Sequence, residues 1–193
     1  MAEQLCLPGF DHGPSPQHNL YFAVRPSPAA GTGAARVAWA LCDRHGVRGR
    51  RVDPARMHIS LLGFGRHPWP RSELVDWMRR AATVVNLPRF AVRLDRIATF
   101  AGPRARLPIV LLERQAIAEL ALLRATLGAA VTGVGIDAWL RSRYEPHLTL
   151  LYGERPVPAQ PVAAIGWPVR EFVLVYRRDR TSCETLGRWP LRA

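Results

Sequence analysis

Two nine-residue segments of the chain share one pattern, and this pattern constrains the fold more than any other feature of the sequence. They are MHISLLGFG at positions 57–65 and PHLTLLYGE at positions 146–154. Each contains a histidine, an apolar residue, a hydroxyl residue and two leucines, and each runs to a glycine. Alternating polar and apolar residues are typical of a β-strand that is buried on one face. The sequence therefore predicts two similar strands in similar surroundings.

Side chains alternate across a strand, so the pattern divides each segment into two rows. One row holds the polar side chains and one leucine, and its members are His58, Ser60 and Leu62 in the first segment and His147, Thr149 and Leu151 in the second. The opposite row is apolar and consists of Met57, Ile59, Leu61, Leu148, Leu150 and Tyr152. Each strand is thus expected to place its apolar row in a core and to present an imidazole beside a hydroxyl.

This pair of side chains, presented twice, suits acid–base chemistry at phosphorus. Imidazole titrates near neutrality, so one of His58 and His147 can remove a proton while the other donates one. The hydroxyls of Ser60 and Thr149 can donate hydrogen bonds to anionic oxygens held between the histidines. The arrangement suits an in-line displacement, in which the attacking and leaving oxygens lie on opposite sides of the phosphorus.

Two other interpretations of the histidines are a polar strand residue without a function and a metal ligand. A single His-x-Ser is usually a polar strand residue without a function, but the coincidence of residues and spacing in two segments favours a functional site. A role as metal ligands is disfavoured, because neither His-x-Ser/Thr stretch holds a cysteine or carboxylate that could complete the coordination of a zinc ion. Glu154 falls in the apolar row, and Glu145 precedes Pro146 and has no equivalent in the first segment. We therefore expect neither a metal nor a cofactor.

Composition narrows the class of partner and the compartment. The net charge is +12, and all 27 basic residues are arginine. An excess of guanidinium groups attracts polyanions and suits phosphate, which favours a nucleic-acid or nucleotide partner. The three cysteines have no CxxC spacing, and the chain carries neither a signal peptide nor an apolar run of 18 residues. We expect a monomeric cytoplasmic protein with no membrane association.

The remaining periodicities predict an α+β fold with helices outside mainly antiparallel sheets. The predicted order is strand, helix, strand, helix, strand, strand, helix, strand, strand and one further strand. The predicted strands are NLYFAVRP, MHISLLGF, RFAVRLDRIATF, LPIVLLE, PHLTLLYG, REFVLVYRRD and CETLGRWPL, and the helices are AARVAWALCDRHG, RSELVDWMRRAATVV and RQAIAELALLRATLGAAV. Residues 1–17 are expected to form a loosely ordered lead-in, and 18–193 a single domain of two lobes.

The pair His58-Ile59-Ser60 and His147-Leu148-Thr149 resembles the two HxS/T motifs of the 2H phosphoesterase superfamily. The order of elements is similar to the LigT-like branch, the bacterial RNA 2′,3′-cyclic phosphodiesterases long called 2′-5′ RNA ligases. The resemblance extends from NLYFAVRP to WPL. The first motif carries Ser60 where LigT-like members usually carry threonine, so the hydroxyl is retained.

This resemblance implies a bilobal fold with a pseudo-twofold axis, a groove between two sheets, and metal-independent opening of a cyclic phosphate on RNA ends or nucleotides. It implies that His58 and His147 are the acid–base pair and that Ser60 and Thr149 hold the non-bridging oxygens. Water would attack a 2′,3′-cyclic phosphate, the 3′-oxygen would leave, and a 2′-phosphate would remain. A 2′-5′ RNA ligase side activity is a further expectation. The sequence does not assign the acid and the base.

Three residues are candidates for substrate contacts beyond the motifs. Arg141 and Arg143 precede His147, where LigT-like sequences often carry basic residues, and Arg143 either contacts phosphate or is a solvated arginine. Tyr21 falls opposite the apolar row of the first strand, where it either stacks on a base or serves as a rim or second-core aromatic. The basic run at 44–56 is a candidate guide for an RNA strand.

Two alternative functions fit the same residues. One is a non-catalytic RNA-binding module, and the other is a different 2H branch acting on 2′-5′ oligonucleotides, small cyclic nucleotides or cyclic phosphate derived from ADP-ribose. The position of the two imidazoles distinguishes an enzyme from a non-catalytic RNA-binding module, because catalysis requires both rings to converge on one pocket large enough for a phosphate.

Overall fold

A computed structural model of the chain describes residues 18–67, 72–101, 106–113, 117–133, 144–178 and 183–193, and the predicted lead-in at 1–17 lies outside them. The strands are β1 His18–Val24, β2 Gly49–Arg51, β3 Ile59–His67, β4 Phe90–Thr99, β5 Leu107–Leu112, β6 Leu148–Gly153, β7 Gln160–Val169, β8 Glu171–Arg178 and β9 Glu184–Pro190. The α-helices are α1 Pro28–His45, α2 Ser72–Thr83 and α3 Ala118–Gly133, and a 3-10 helix spans Pro54–Arg56. None of these helices has the length and apolar character needed to cross a lipid bilayer.

The strands form one large sheet in the order β7-β4-β5-β6-β3-β1-β8-β9, and β2 pairs with β6. Neighbouring strands are antiparallel, which confirms the predicted α+β class. In place of two predicted sheets there is one, and its halves, β7-β4-β5-β6 with β2 and β3-β1-β8-β9, are joined by one registered pair between Ile59 of β3 and Leu148 of β6. The pseudo-twofold relation of the halves and the single domain stay predictions.

The structure adds two strands that the sequence pattern did not predict. β2 is a three-residue strand, Gly49–Arg51, whose residues are all exposed, so it has no apolar row to detect. β7 contains Pro161 and Pro168, which argue against a strand in a sequence pattern. Proline is tolerated here because β7 is an edge strand of the sheet.

A helix covers each half of the sheet, and the strand that precedes this helix in the chain belongs to the other half. α1 follows β1 but contacts β6 and β7, while α3 follows β5 but contacts β3. α2 packs beside α3 and reaches β9. Ser27 caps the N-terminus of α1, because its Oγ accepts a hydrogen bond from the Ala30 amide at 3.3 Å. These crossed contacts tie the two halves together through the core.

The paired leucines of the first motif contain a β-bulge. The register between β1 and β3 passes from Ala23–Ser60 to Phe22–Leu62, so Leu61 is an extra residue without a partner on β1. A bulge shifts the alternation of side chains by one position. Leu61 and Leu62 therefore both point into the core, where they are 3% and 2% exposed.

The second motif has a bulge at the equivalent position. The register between β5 and β6 passes from Val110–Thr149 to Ile109–Leu151, so Leu150 is the extra residue. Leu150 and Leu151 are both completely buried. The prediction that Leu62 and Leu151 share the face of the histidines was therefore wrong, because the bulge reverses the alternation after the hydroxyl residue of each motif.

We expect Leu151→Ala to lower the free energy of unfolding by about 2–5 kcal/mol, because it leaves a cavity in the core. Denaturant unfolding measures the loss, and the control is Leu122→Ala on α3, where the side chain is 53% exposed. The control is expected to change stability by no more than about 0.5 kcal/mol. A similarly small effect at Leu151 would mean that this side chain faces solvent, as simple alternation requires.

Candidate active site

The pair Ile59–Leu148, which joins the two halves of the sheet, also orients the polar residues of both motifs. Ile59 and Leu148 are completely buried, so the residues that flank them point to the opposite face of the sheet. Counting outwards in the antiparallel sense places His58 across from Thr149. The same count places Ser60 across from His147, so each histidine lies opposite the hydroxyl residue of the other motif.

All four motif side chains line one cleft of about 820 Å³. This volume is within the range of sites that bind small ligands. His58, His147 and Thr149 are half-buried, whereas Ser60 is exposed. The structure therefore brings together the four residues that the sequence singled out, on a surface open to a ligand.

The two imidazoles are held by the same hydrogen bond. His58 Nδ1 lies 2.8 Å from the carbonyl oxygen of Arg56, and His147 Nδ1 lies 2.9 Å from the carbonyl oxygen of Glu145. A carbonyl oxygen can only accept, so Nδ1 carries the hydrogen and donates it in both rings. Each neutral ring then has an unprotonated Nε2 that can accept a proton.

Local sequence before His58 explains how the accepting carbonyl is positioned. Asp53 caps the 3-10 helix through a 2.9 Å hydrogen bond from the Ala55 amide to its carboxylate. The Met57 amide then donates to the Pro54 carbonyl at 3.2 Å, which ends the turn. This turn fixes the Arg56 carbonyl two residues before the histidine.

An aromatic ring packs against each imidazole. The ring centroids of Tyr21 and His58 are 4.9 Å apart, and those of Phe100 and His147 are 4.8 Å apart. Tyr21 comes from β1, which neighbours β3, and Phe100 directly follows β4. These contacts restrict the rotation of both imidazoles, which fixes the direction of Nε2.

A small apolar cluster lies beneath His58 on the cleft side of the sheet. It consists of Tyr21, Ala23, Val173 and Val175, with Cys183 packed against it. Tyr21 is 8% exposed, and burial raises the pKa of its phenol above the usual range. The prediction of Tyr21 on the cleft face agrees with its position, and the contacts support its interpretation as a second-core aromatic that positions His58. Stacking of Tyr21 on a base stays a prediction.

Burial and neighbouring charges act on the protonation of His58. Burial lowers the pKa of His58 below its usual value, because the charged ring loses hydration. The hydrogen bond to the Arg56 carbonyl acts in the opposite direction, while the positive charges of Arg177 and Arg25 lower the pKa further. His58 is therefore held in its neutral form, with Nε2 available as a base.

Two residues that the sequence pattern did not single out brace β3 beside the cleft. The Tyr144 hydroxyl donates to the Ser60 carbonyl at 3.0 Å, and Arg124 Nε of α3 donates to the Leu61 carbonyl at 3.1 Å. The Arg124 guanidinium also lies over the Tyr144 ring, 4.7 Å from its centroid. The sequence pattern does not reveal either residue, because both donate hydrogen bonds to backbone carbonyls at the bulge of β3.

The cleft continues from Thr149 towards β2. After the bulge, Tyr152 lies on the cleft face and not in the apolar row where the sequence pattern placed it, and Arg50 of β2 is its partner in register. The Arg50 guanidinium lies 5.9 Å from the centroid of the Tyr152 ring. The predicted basic run at 44–56 thus contributes to the cleft, while the candidates Arg141 and Arg143 lie outside the described residues.

No group of three or more metal-ligating side chains is present within the described ranges. The donors of the cleft include two imidazoles, the hydroxyls of Ser60 and Thr149, and several guanidinium groups. Together they can transfer protons on two sides of a ligand and hydrogen-bond its anionic oxygens.

Comparison with known proteins identifies the family. The family model of the 2′-5′ RNA ligase superfamily matches residues 6–181. The chain is 25% identical to Escherichia coli LigT, crystallised with 3′-AMP, with a TM-score of 0.73 over 92% of this chain and 99% of that chain. It shares its fold with the protein TT0787 of Thermus thermophilus, at 23% identity and a TM-score of 0.69 over 91% of this chain and 98% of that chain.

No curated protein matches the chain. The family match nevertheless spans most of the sequence and includes both histidine motifs. The chain therefore belongs to the 2′-5′ RNA ligase superfamily, whose members are 2H phosphoesterases.

Proposed function

We propose that the protein hydrolyses terminal 2′,3′-cyclic phosphates of RNA to 2′-phosphates without a metal ion. The observation that carries this proposal is the convergence of His58 and His147 on one cleft, with Nδ1 of each ring bound to a carbonyl. Catalysis on two sides of a phosphate needs two proton-transferring nitrogens, whereas a non-catalytic RNA-binding module does not. The convergence therefore favours an enzyme over that alternative.

The lowered pKa of His58 supports an assignment of roles. Neutral His58 removes a proton from water through Nε2 as the water oxygen forms a bond to phosphorus. The bond between phosphorus and O3′ breaks, and protonated His147 donates its Nε2 proton to O3′. Ser60 and Thr149 hydroxyls donate to the non-bridging oxygens, where negative charge increases in the transition state.

The same displacement accounts for a ligase side activity. If the 5′-hydroxyl of a second RNA strand replaces water as the nucleophile, its oxygen bonds to phosphorus and O3′ again leaves. The product is a 2′-5′ phosphodiester, and the two histidines keep their roles. This reaction is favoured only when a bound 5′ end competes successfully with water in the cleft.

The cleft beyond the motifs supports RNA over a small cyclic nucleotide as the substrate. Arg50 and Tyr152 extend the site past Thr149 with a cation and an aromatic ring, which suit a phosphate and a base. Escherichia coli LigT has been crystallised with 3′-AMP, with ATP and with phosphate. Those ligands support a nucleotide-binding role for the equivalent cleft here.

Replacement of His58 or His147 by Ala is expected to lower kcat by about 10²–10⁴-fold, because each variant loses one proton-transfer group. The assay follows hydrolysis of an oligoribonucleotide with a 2′,3′-cyclic phosphate end in the presence of EDTA. The control is His45→Ala, because His45 at the end of α1 binds Gln160 and does not line the cleft. Thermal unfolding of all three variants checks that the fold is retained.

Full activity in either cleft variant would contradict the assignment, and loss of wild-type activity in EDTA would favour a metal-dependent reaction. Comparison with a 2′,3′-cyclic mononucleotide tests the choice of substrate. We expect a higher kcat/KM for the oligomer, since only the oligomer reaches Arg50 and Tyr152. Equal values would favour the small-nucleotide branch of the superfamily.

The pKa of His58 is expected to lie below the usual value of about 6.5 in an NMR titration, because burial disfavours its charged form. The unfolded chain then binds a proton that the native protein does not. Stability should consequently decrease as the pH falls below about 6.5 and level off below the native pKa. The His58→Gln variant assigns the resonance, and titration of His58 at or above 6.5 would contradict its role as the resting base.

A further inference from the structure

Arg177 is a cleft residue that neither motif contains. It lies near the end of β8, whose side chains alternate between the two faces of the sheet. Phe172 and Leu174 belong to the main core, while Val173 and Val175 belong to the small cluster beneath His58. Arg177 continues the second row and lines the cleft on the His58 side.

The Arg177 guanidinium is not fully satisfied within the described part of the protein. Its Nε is buried and has no hydrogen-bond partner there. Its positive charge contributes to the lowered pKa of His58 and opposes the rise that burial causes in the pKa of Tyr21. Arg177 is thus a cation close to the base, with a donor that the described protein groups leave unused.

A buried donor without a partner is costly, even in a side chain that is only half-buried as a whole, as Arg177 is. The two ion pairs of the described residues, Arg79–Asp76 and Arg188–Glu171, do not involve Arg177. A ligand that supplies an anionic oxygen at this position would satisfy the guanidinium. Arginine is suited to such a contact, since its planar donors can bind two phosphate oxygens together.

We propose that Arg177 is a third phosphate-binding residue of the site, donating to an anionic oxygen of the substrate on the His58 side of the cleft. The identity of this anion as a phosphate of an RNA end rests on the proposed function. Ser60 and Thr149 supply neutral donors, and Arg177 supplies the positive charge. This charge stabilises the dianionic product and the charge that develops on the oxygens during attack.

The same position explains why an arginine beside the base is useful to the reaction. A cation near His58 opposes protonation of the free ring, and it also attracts the phosphate towards the nitrogen that activates water. Once the phosphate is bound, its negative charge offsets the arginine and favours transfer of the proton to His58. Arg177 thereby couples substrate binding to the action of the base.

The test compares Arg177→Gln with Arg178→Gln. The control removes the same charge from the next residue of β8, which is exposed and does not line the cleft. We expect Arg177→Gln to lower kcat/KM for 2′,3′-cyclic AMP by about 10²-fold, and Arg178→Gln by less than about threefold. Guanidinium ions added to the buffer should restore part of the loss in Arg177→Gln alone.

Binding of inorganic phosphate, measured by calorimetry, gives a readout that does not need turnover. Its dissociation constant should increase about tenfold in Arg177→Gln and by about threefold in Arg177→Lys, which retains the charge but loses the planar pair of donors. Equal phosphate affinities in Arg177→Gln and Arg178→Gln would overturn the proposal. If Arg177→Gln does not fold, equal affinities in Arg177→Lys and the wild type would overturn it instead. A wild-type protein that binds phosphate through Arg177 but opens no cyclic phosphate would contradict the proposed function alone.

Discussion

The pairing of Ile59 with Leu148 is the contact on which the rest of the site depends. It is the registered pair between the two halves of the sheet, and both side chains are completely buried. Because their neighbours must then point the other way, one pairing sets His58, Ser60, His147 and Thr149 on a common face. A register slip of one residue would move these side chains into the core. The core therefore protects the geometry of the cleft.

The repeated leucines have a structural reason that differs from the reason for the repeated histidines. A bulge in each motif turns two consecutive leucines into the core, so both strands are anchored immediately after the hydroxyl residue. The bulge also interrupts the polar row, and it brings Tyr152 rather than Leu151 to the cleft. The second motif thus supplies a histidine and a hydroxyl to the cleft, two buried leucines that hold the strand in the core, and the aromatic ring of Tyr152 farther along the cleft.

The sequence predicted the α+β class and the faces of the four motif residues, because alternation near His58 and His147 is undisturbed. It failed at Leu62 and Leu151, since a bulge depends on the register with a partner strand. Arg177 was missed because its position follows from the alternation of β8 beside β1, far from either motif. The hydrogen bond of each Nδ1 is likewise set by a carbonyl two residues earlier, which residue types do not reveal.

In the proposed reaction, two imidazoles open a cyclic phosphate by attack of water at phosphorus. Hydrolysis of a 2′,3′-cyclic phosphate in ¹⁸O-labelled water with EDTA, followed by ³¹P NMR, tests it most directly. The expected product is a 2′-phosphate that carries a single ¹⁸O atom from one solvent attack. A 3′-phosphate product, or the absence of turnover in EDTA, would contradict the account.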